Sequence, residues 1–194
     1  MPPRISLHTP GKTLLDAYAT ALRGGWSPNT MRDVSGEQLA AIAQDTDGFL
    51  ASFARRGGRS RLADGSEVDK LPDRVRWIVA EDRSDLPFIG AINLRWMEDA
   101  DGRPVLELPA HVSGHAGYSI LPAFAGNGYA TAALAAMIEQ ARDIGLPLIV
   151  VTCNAANHAS RRVIEKNGGV LVETSTASSP ETRSTLRFTI DTAL

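Results

Sequence analysis

Two glycines in one short segment have the type and spacing that bind phosphate. Gly126 and Gly128 follow a β-prone run that ends at Pro122, and they lead directly into a helix. The first N–H groups of a helix have no intrahelical acceptor, and the helix dipole adds partial positive charge at the same end. Such a helix start binds phosphate without a basic side chain. The segment therefore predicts a site for a phosphorylated cofactor.

The helix after these glycines is marked by the spacing of its apolar residues. Across 130–141 they recur at intervals of 3.6 residues, which predicts an amphipathic helix. A break at 145–147 precedes an apolar run at 148–152, and this run is typical of a buried strand. A short helix is predicted over 157–166, where two glycines end it. The glycine turn therefore lies between a strand and a helix, and a second strand and helix follow.

The rest of the pattern combines strand pairs with helices. Further strands are predicted at 75–80, 88–94, 114–121, 170–174 and 185–190, and further helices at 14–22 and from 35 to about 55. This order indicates an α+β, or mixed α/β, fold with a sheet of six or seven strands. We expect residues 1–194 to form a single domain.

Composition excludes several classes of protein. A formal net charge of −2 over 194 residues does not indicate a general nucleic-acid binder. The single cysteine, Cys153, excludes an intrachain disulfide and a cysteine-rich zinc site, and no metal is expected. No run reaches 18 apolar residues, and the N-terminus lacks the pattern of a secretory signal. We therefore expect a cytoplasmic protein without a membrane partner.

Taken together, these motifs resemble the GNAT superfamily of acyl-coenzyme-A-dependent N-acyltransferases. The resemblance is carried by the segments GYSI at 117–120, GNGYAT at 126–131, TCN at 152–154 and NHASRRVIEKNGG at 157–169, and FIGAINLR at 88–95 is similar to the family's third strand. It implies the GNAT fold, in which about four helices flank a mixed sheet that is splayed between its fourth and fifth strands. The implied function is direct transfer of an acetyl group from acetyl-coenzyme A to a primary amine.

The resemblance also implies which residues hold acetyl-coenzyme A in the opening between those strands. The strand would pair through its backbone with the pantetheine arm, and the N–H groups of the glycine loop would cradle the pyrophosphate. The implied set is Ile120, Leu121, Ala125, Gly126, Asn127, Gly128, Tyr129, Ala130, Thr131, Asn154, Asn157 and Ser160. Two of these have a local alternative, because Asn154 could satisfy backbone groups at a strand end and Asn157 could cap a helix.

Three positions depart from the family's pattern. Ala123 and Ala125 stand where relatives commonly carry glutamine or arginine, so donor binding should depend almost wholly on backbone N–H groups. Ile164 stands where many relatives have a tyrosine that protonates the leaving thiolate, so no general acid is carried over. A non-catalytic acyl-coenzyme-A sensor or interaction module therefore stays open as an alternative function.

A strand histidine is the candidate general base. The attacking amine must lose its proton, and an unperturbed histidine titrates near neutral pH. Strand alternation places His115 on one face with Gly117 and Ser119. A subgroup of bacterial acetyltransferases has a Gly-His pair at this position, as Gly114 and His115 do here. The alternative is that His115 is a hydrogen-bonded histidine of the sheet.

The acceptor side is less defined. In the GNAT fold the loop between the first two helices borders the acceptor site, so Trp26 and Arg95 are the candidate substrate residues. Trp26 would form a flat wall, or it packs in the core. Glu98, Asp99 and Asp101 would bind a cationic acceptor, or they are solvated turn residues. The acceptor, the acyl-chain preference and the oligomeric state stay open, with a homodimer among the options.

Overall fold

The computed structural model describes residues 3–61, 65–85, 87–176 and 184–193. Its helices are α1 (Lys12–Arg23), α2 (Ser35–Gln44), α3 (Thr46–Ser52), α4 (Tyr129–Asp143) and α5 (His158–Lys166), with a 3₁₀ turn at Pro122–Phe124. Its strands are β1 (Ile5–His8), β2 (Arg59–Arg61), β3 (Glu67–Asp69), β4 (Asp73–Ala80), β5 (Phe88–Arg95), β6 (Met97–Glu98), β7 (Pro104–Val105), β8 (Ala116–Ile120), β9 (Leu148–Asn154), β10 (Val170–Ser175) and β11 (Thr185–Asp191).

The main strands form two antiparallel sheets that separate between β8 and β9. One sheet has four strands in the order β1-β4-β5-β8, and the other has three in the order β10-β11-β9. The two short ribbons β2-β3 and β6-β7 stand apart from both sheets. At the start of β8, the His115 N–H donates to the Val150 carbonyl at 2.7 Å. Beyond that bond the described residues form no ladder between β8 and β9, so an opening lies between them.

Each face of the four-stranded sheet is covered by a different apolar cluster. The amphipathic face of α4 packs on one side, where Ala133, Leu134, Met137 and Ala141 are fully buried. An aromatic cluster lies on the other side beneath α1 and α3, and its members are Tyr18, Trp26, Phe49, Trp77 and Phe88. The rings of Tyr18 and Trp77 stack at 4.4 Å between centroids, which adds about 1 kcal/mol to the burial of their surface.

The predicted fold class is confirmed, and two details differ. The sheet is divided into four and three strands at the predicted splay between the fourth and fifth main strands. The helix expected from 35 to about 55 is two helices, because Asp45 interrupts it and its carboxylate accepts the Gly48 N–H at 2.9 Å as the N-cap of α3. The segment 56–73 was expected to be a loop and instead contains the β2-β3 ribbon.

Candidate active site

The glycine turn joins the end of β8 to the start of α4. Gly126 and Gly128 have φ angles of 81° and 85°, in the left-handed region that favours glycine. Gly128 is the residue before α4, and no side chain caps this helix start. The N–H groups of 126–131 bind no acceptor within the described parts of the chain. The turn therefore presents a row of unpaired donors at the positive end of a helix dipole.

Three residues of the predicted cofactor set have their groups engaged inside the turn. The Ala125 N–H donates to the Pro122 carbonyl at 3.2 Å, so the row of free donors begins at Gly126 and not at Ala125. The Asn127 Nδ2 group donates to the Phe124 and Ala125 carbonyls, which leaves the backbone N–H as the donor that Asn127 offers to a cofactor. The Tyr129 side chain is buried and belongs to the core cluster beneath α4.

A cation lies beside the turn on the loop between β4 and β5. The Arg83 guanidinium is 5.5 Å from the centre of the Phe124 ring, and the Tyr129 hydroxyl donates to Asp82 on the same loop at 2.9 Å. These residues line a cavity of about 220 Å³ with Asn127. Sequence analysis missed Arg83 because it lies 43 residues before Gly126. Antiparallel pairing brings both to one end of the sheet.

The end of β8 has one backbone edge free for a ligand. The Leu121 N–H donates to Ile89 at 2.8 Å, and its carbonyl accepts from Phe124 at 2.9 Å. Leu121 therefore has no unpaired backbone group for the predicted pantetheine contact. The N–H and C=O groups of successive strand residues point to opposite edges of the strand. Because the Leu121 N–H points to β5, the N–H and C=O groups of Ile120 point toward the opening.

The far side of the opening is formed by α5 and the end of β9. Asn157 caps α5, since its side-chain oxygen accepts the Ser160 N–H at 3.0 Å. The Asn154 side chain accepts the Ala156 N–H at 2.8 Å, which is the local alternative given for that residue. Each side-chain oxygen therefore already accepts a local backbone hydrogen bond. The Ser160 hydroxyl is 2.8 Å from the Tyr118 hydroxyl and links α5 to β8.

His115 lies where the two sheets meet. The residue is fully buried, and its Nδ1 accepts the Val150 N–H at 3.0 Å. A backbone N–H can only donate, so the ring proton is on Nε2, and that atom has no acceptor among the described residues. Burial lowers the pKa of His115 to about 4, and the positive charges of Arg187 and Arg95 act in the same direction.

These contacts oppose the predicted role of His115 as general base. Its one lone pair accepts a backbone hydrogen bond, its other nitrogen already carries a proton, and no surface of the ring is exposed to an acceptor. A general base near neutral pH also needs a pKa close to the working pH, whereas burial favours the neutral ring here. The geometry instead gives His115 the alternative role of a hydrogen-bonded sheet histidine.

The Ser119 side chain lies against the loop between α1 and α2. The Ser119 hydroxyl donates to the Ser27 carbonyl at 2.9 Å. A Cβ atom at Gly117 would lie 3.0 Å from Asn93 Oδ1 and 3.4 Å from Arg95 Nη2. The absence of a side chain at Gly117 therefore lets the Arg95 guanidinium lie close against β8.

Trp26 is a correction to the predicted acceptor wall. The indole is only 7% exposed and meets Tyr18 and Phe88 edge-to-face, at 5.7 Å and 5.5 Å between ring centroids. It belongs to the core, because the aromatic cluster under α1 excludes water from it. The next residue, Ser27, takes its place beside the strand face.

The chain between residues 16 and 170 matches the family model of the acetyltransferase (GNAT) domain. This match covers most of the sequence. The chain belongs to the GNAT acetyltransferase family. As a member of that family it is an acyltransferase.

Solved GNAT structures share the fold over nearly the whole chain. Mycobacterium smegmatis RimJ, in complex with CoA-disulfide, is 17% identical with a TM-score of 0.63, over 96% of this chain and 81% of that one. The microcin C7 self-immunity acetyltransferase MccE, in complex with acetyl-CoA and AMP, is 13% identical with a TM-score of 0.59, over 96% and 92%. A spermidine N-acetyltransferase SpeG chimera from Vibrio cholerae and hSSAT is 11% identical with a TM-score of 0.59, over 97% and 96%. No protein of curated function matches the sequence.

A second cavity of this GNAT domain lies away from the glycine turn. Its volume is about 440 Å³, and it is found at the edge of β4 beyond the end of β1. Arg55, Arg74 and Arg76 line it with Asp73, which is also the partner of Arg95 in the β4-β5 ladder. The cavity lies at the opposite end of the sheet from the glycine turn.

Sequence analysis missed the contacts of two residues in or beside β8. Tyr118 belongs to the strand motif, and alternation placed it on the face opposite His115, but its bond to α5 spans 42 residues. Asn93 faces Gly117 across the β5-β8 ladder. Over the described ranges no helix has the length and apolarity to cross a bilayer.

Proposed function

We propose that this GNAT enzyme transfers an acetyl group from acetyl-coenzyme A to a primary amine by direct attack, with residues 1–194 acting as one domain. The observation that carries the proposal is the row of unpaired N–H groups at 126–131, beside the opening between β8 and β9. A diphosphate on the turn would leave the pantetheine arm within reach of the free edge at Ile120. The thioester would then lie in the opening.

Donor binding depends mainly on the backbone of the turn. Ala123 and Ala125 carry no charge, so N–H groups and the helix dipole are the groups that the turn itself offers to the phosphates. We propose that Arg83 adds a positive charge from the neighbouring loop. Its side chain is half exposed, so this contribution is screened by salt and is expected to change affinity by less than tenfold.

The reaction needs a neutral amine and a stabilised leaving thiolate. The amine nitrogen attacks the thioester carbonyl, an N–C bond forms, the C–S bond breaks and the proton of the amine passes to water. We propose water as the acceptor of this proton, since the lone pair of His115 is occupied. His115 is then a positioning residue that ties β8 to β9 at the closed end of the opening.

The hydroxyl pair of Tyr118 and Ser160 is the proposed donor to the thiolate. Burial raises the pKa of Tyr118 to about 12, and the hydrogen bond to Ser160 opposes this shift. A phenol with a pKa above that of a thiol keeps its proton, so Tyr118 stabilises the sulfur by a hydrogen bond instead of a full transfer. Ile164, at the position of the family's tyrosine, is fully buried and cannot take this role.

Calorimetric titration with acetyl-coenzyme A, followed by thiol release with an amine panel, tests the proposal. We expect saturable one-to-one binding at micromolar to millimolar donor and amine-dependent release of coenzyme A. No binding at millimolar donor would remove the site. Binding without turnover on any amine would overturn the catalytic proposal and leave a coenzyme-A-binding module. An Arg83→Gln variant should bind more weakly at low salt and like the wild type at high salt.

A further inference from the structure

The face of the sheet beside the opening carries an arginine with unused hydrogen-bonding capacity. Arg95 lies near the end of β5, partly buried, and its Nε atom has no acceptor among the residues that the structure describes. Its one side-chain hydrogen bond, from Nη2 to Asn93 Oδ1, is long at 3.4 Å. A guanidinium keeps its charge in proteins, and buried charges are normally paired. Arg95 therefore has a positive charge and hydrogen-bond donors available for an anionic partner.

The carboxylate nearest to Arg95 in the β4-β5 ladder is paired with another residue. Asp73 faces Arg95 across β4 and β5, but its carboxylate pairs with Lys70 at 3.1 Å, and no ion pair to Arg95 forms in the described chain. Burial lowers the pKa of Arg95, and the charge of Asp73 offsets this only in part. Burial also raises the pKa of Asp73, against the influence of Lys70. The three groups together carry one net positive charge.

A second unused donor lies next to Arg95. The Arg95 N–H donates to the His115 carbonyl at 2.8 Å, so the two residues are neighbours on adjoining strands. The proton on His115 Nε2 is buried without an acceptor in the described residues. Each buried polar group of this kind requires an explanation, such as a ligand that fills it. No surface of the His115 ring is exposed, so the partly buried Arg95 guanidinium is the group that a ligand with acceptor oxygens can reach.

The acidic turn that might have bound a cationic acceptor is already occupied by protein groups. Glu98 accepts the Trp96 indole N–H at 3.1 Å and lies 3.5 Å from Arg56. Asp99 accepts two backbone N–H groups of its own turn at 2.9 Å, and Asp101 pairs with Arg103 at 3.4 Å. These carboxylates therefore have partners, whereas the arginine on the strand face does not.

We propose that the amine acceptor carries a carboxylate and that Arg95 binds it. This inference rests on the proposed acetyl transfer and names the class of its acceptor. Arg95 Nη2 lies 3.4 Å from the place that a Cβ atom of Gly117 would occupy. Gly117 belongs to β8, the strand whose edge borders the opening. An amino acid bound through its carboxylate would direct its amino group along β8 toward the thioester. Arginine binds carboxylates in a planar two-bond arrangement that lysine cannot reproduce.

Matched pairs of amines test this proposal. The probes are α-amino acids and ω-amino acids of two to six carbons, each compared with its carboxamide, and spermidine as a cationic amine. Release of coenzyme A gives kcat/KM for each. We expect at least one carboxylate to exceed its carboxamide by tenfold or more, mainly through KM. Arg95→Gln should reduce this ratio to about one, and Arg95→Lys should retain part of it.

Controls separate the acceptor class from the proposed function itself. Arg103→Gln, on the exposed turn, should keep the wild-type ratio, and calorimetry should give the same acetyl-coenzyme A affinity for Arg95→Gln as for the wild type. Preference for carboxamides or spermidine, absence of turnover on every carboxylate despite donor binding, or an unchanged ratio in Arg95→Gln overturns the acceptor class. Failure of the wild type to bind acetyl-coenzyme A instead refutes the proposed function.

Discussion

Replacing His115 with asparagine should make the free energy of unfolding less dependent on pH between 7.5 and 4.5. Asparagine Oδ1 can occupy the place of the ring Nδ1 and accept the Val150 N–H, but it has no group that titrates in this range. His115→Leu removes that acceptor as well and leaves the Val150 N–H unsatisfied, which destabilises by about 1–3 kcal/mol at every pH. Comparison of the two variants separates the hydrogen bond from the titration.

The expected magnitude follows from the pKa of His115. The ordinary value is 6.5 and burial lowers it to about 4 in the folded protein, so between these values the unfolded chain binds more protons than the folded one. The free energy of unfolding therefore falls as the pH is lowered through this window. At about 1.4 kcal/mol per pKa unit the total loss is about 3 kcal/mol, most of it reached by pH 4.5. Above pH 6.5 the ring is neutral in both the folded and the unfolded chain, so this loss of stability disappears.

Urea unfolding monitored by tryptophan fluorescence at pH 7.5, 6.5, 5.5 and 4.5 measures this effect. The destabilisation of His115→Asn relative to the wild type should shrink by about 2.5 kcal/mol from the highest to the lowest pH. His115→Leu, which also lacks a titrating ring, should show the same change with pH on top of its constant loss. Parallel curves for His115→Asn would refute a buried neutral imidazole. A hundredfold loss of kcat/KM in His115→Asn with normal donor binding would instead support His115 as the general base.

Two further predictions concern the opening. Gly128→Ala and Gly145→Ala should each lose about 1–2 kcal/mol, because both glycines have left-handed φ angles, of 85° and 88°, but only Gly128→Ala should also weaken acetyl-coenzyme A binding in calorimetry. Equal donor affinity in the two variants would contradict the loop assignment. Tyr118→Phe, which removes the hydroxyl bonded to Ser160, should lower kcat about tenfold with unchanged donor affinity. Tyr18→Phe removes a hydroxyl that bonds to Gln38 of α2 instead of Ser160, and an equal fall in its kcat would count against a role at the thiolate.

The predictable part of the site consists of features written within a few consecutive residues. The spacing of Gly126 and Gly128 before an apolar-periodic helix predicted a turn with free N–H groups, and both glycines have the left-handed angles that such a turn needs. The cap of α5 by Asn157 follows from the same kind of local rule. Strand alternation put Gly117 and Ser119 on one face, where Arg95 and Ser27 meet them.

The roles of single side chains were predicted less well, because their partners lie far away in sequence. His115 was predicted to be a general base, but its Nδ1 accepts the N–H of Val150, which lies 35 residues later in the sequence. Trp26 was expected at an acceptor wall, but helix α1 and strand β5 enclose it with Tyr18 and Phe88. Only packing decides whether a given indole or imidazole is exposed.

The sequence by itself determined the family, the order of strands and helices and the glycine turn, since periodicity, capping and backbone conformation depend on neighbouring residues. Tertiary structure alone decided that the lone pair of His115 is occupied and that Arg95 has no carboxylate partner among the described residues. Desolvation and pairing of a charge depend on which distant strands surround it, and no local pattern records them.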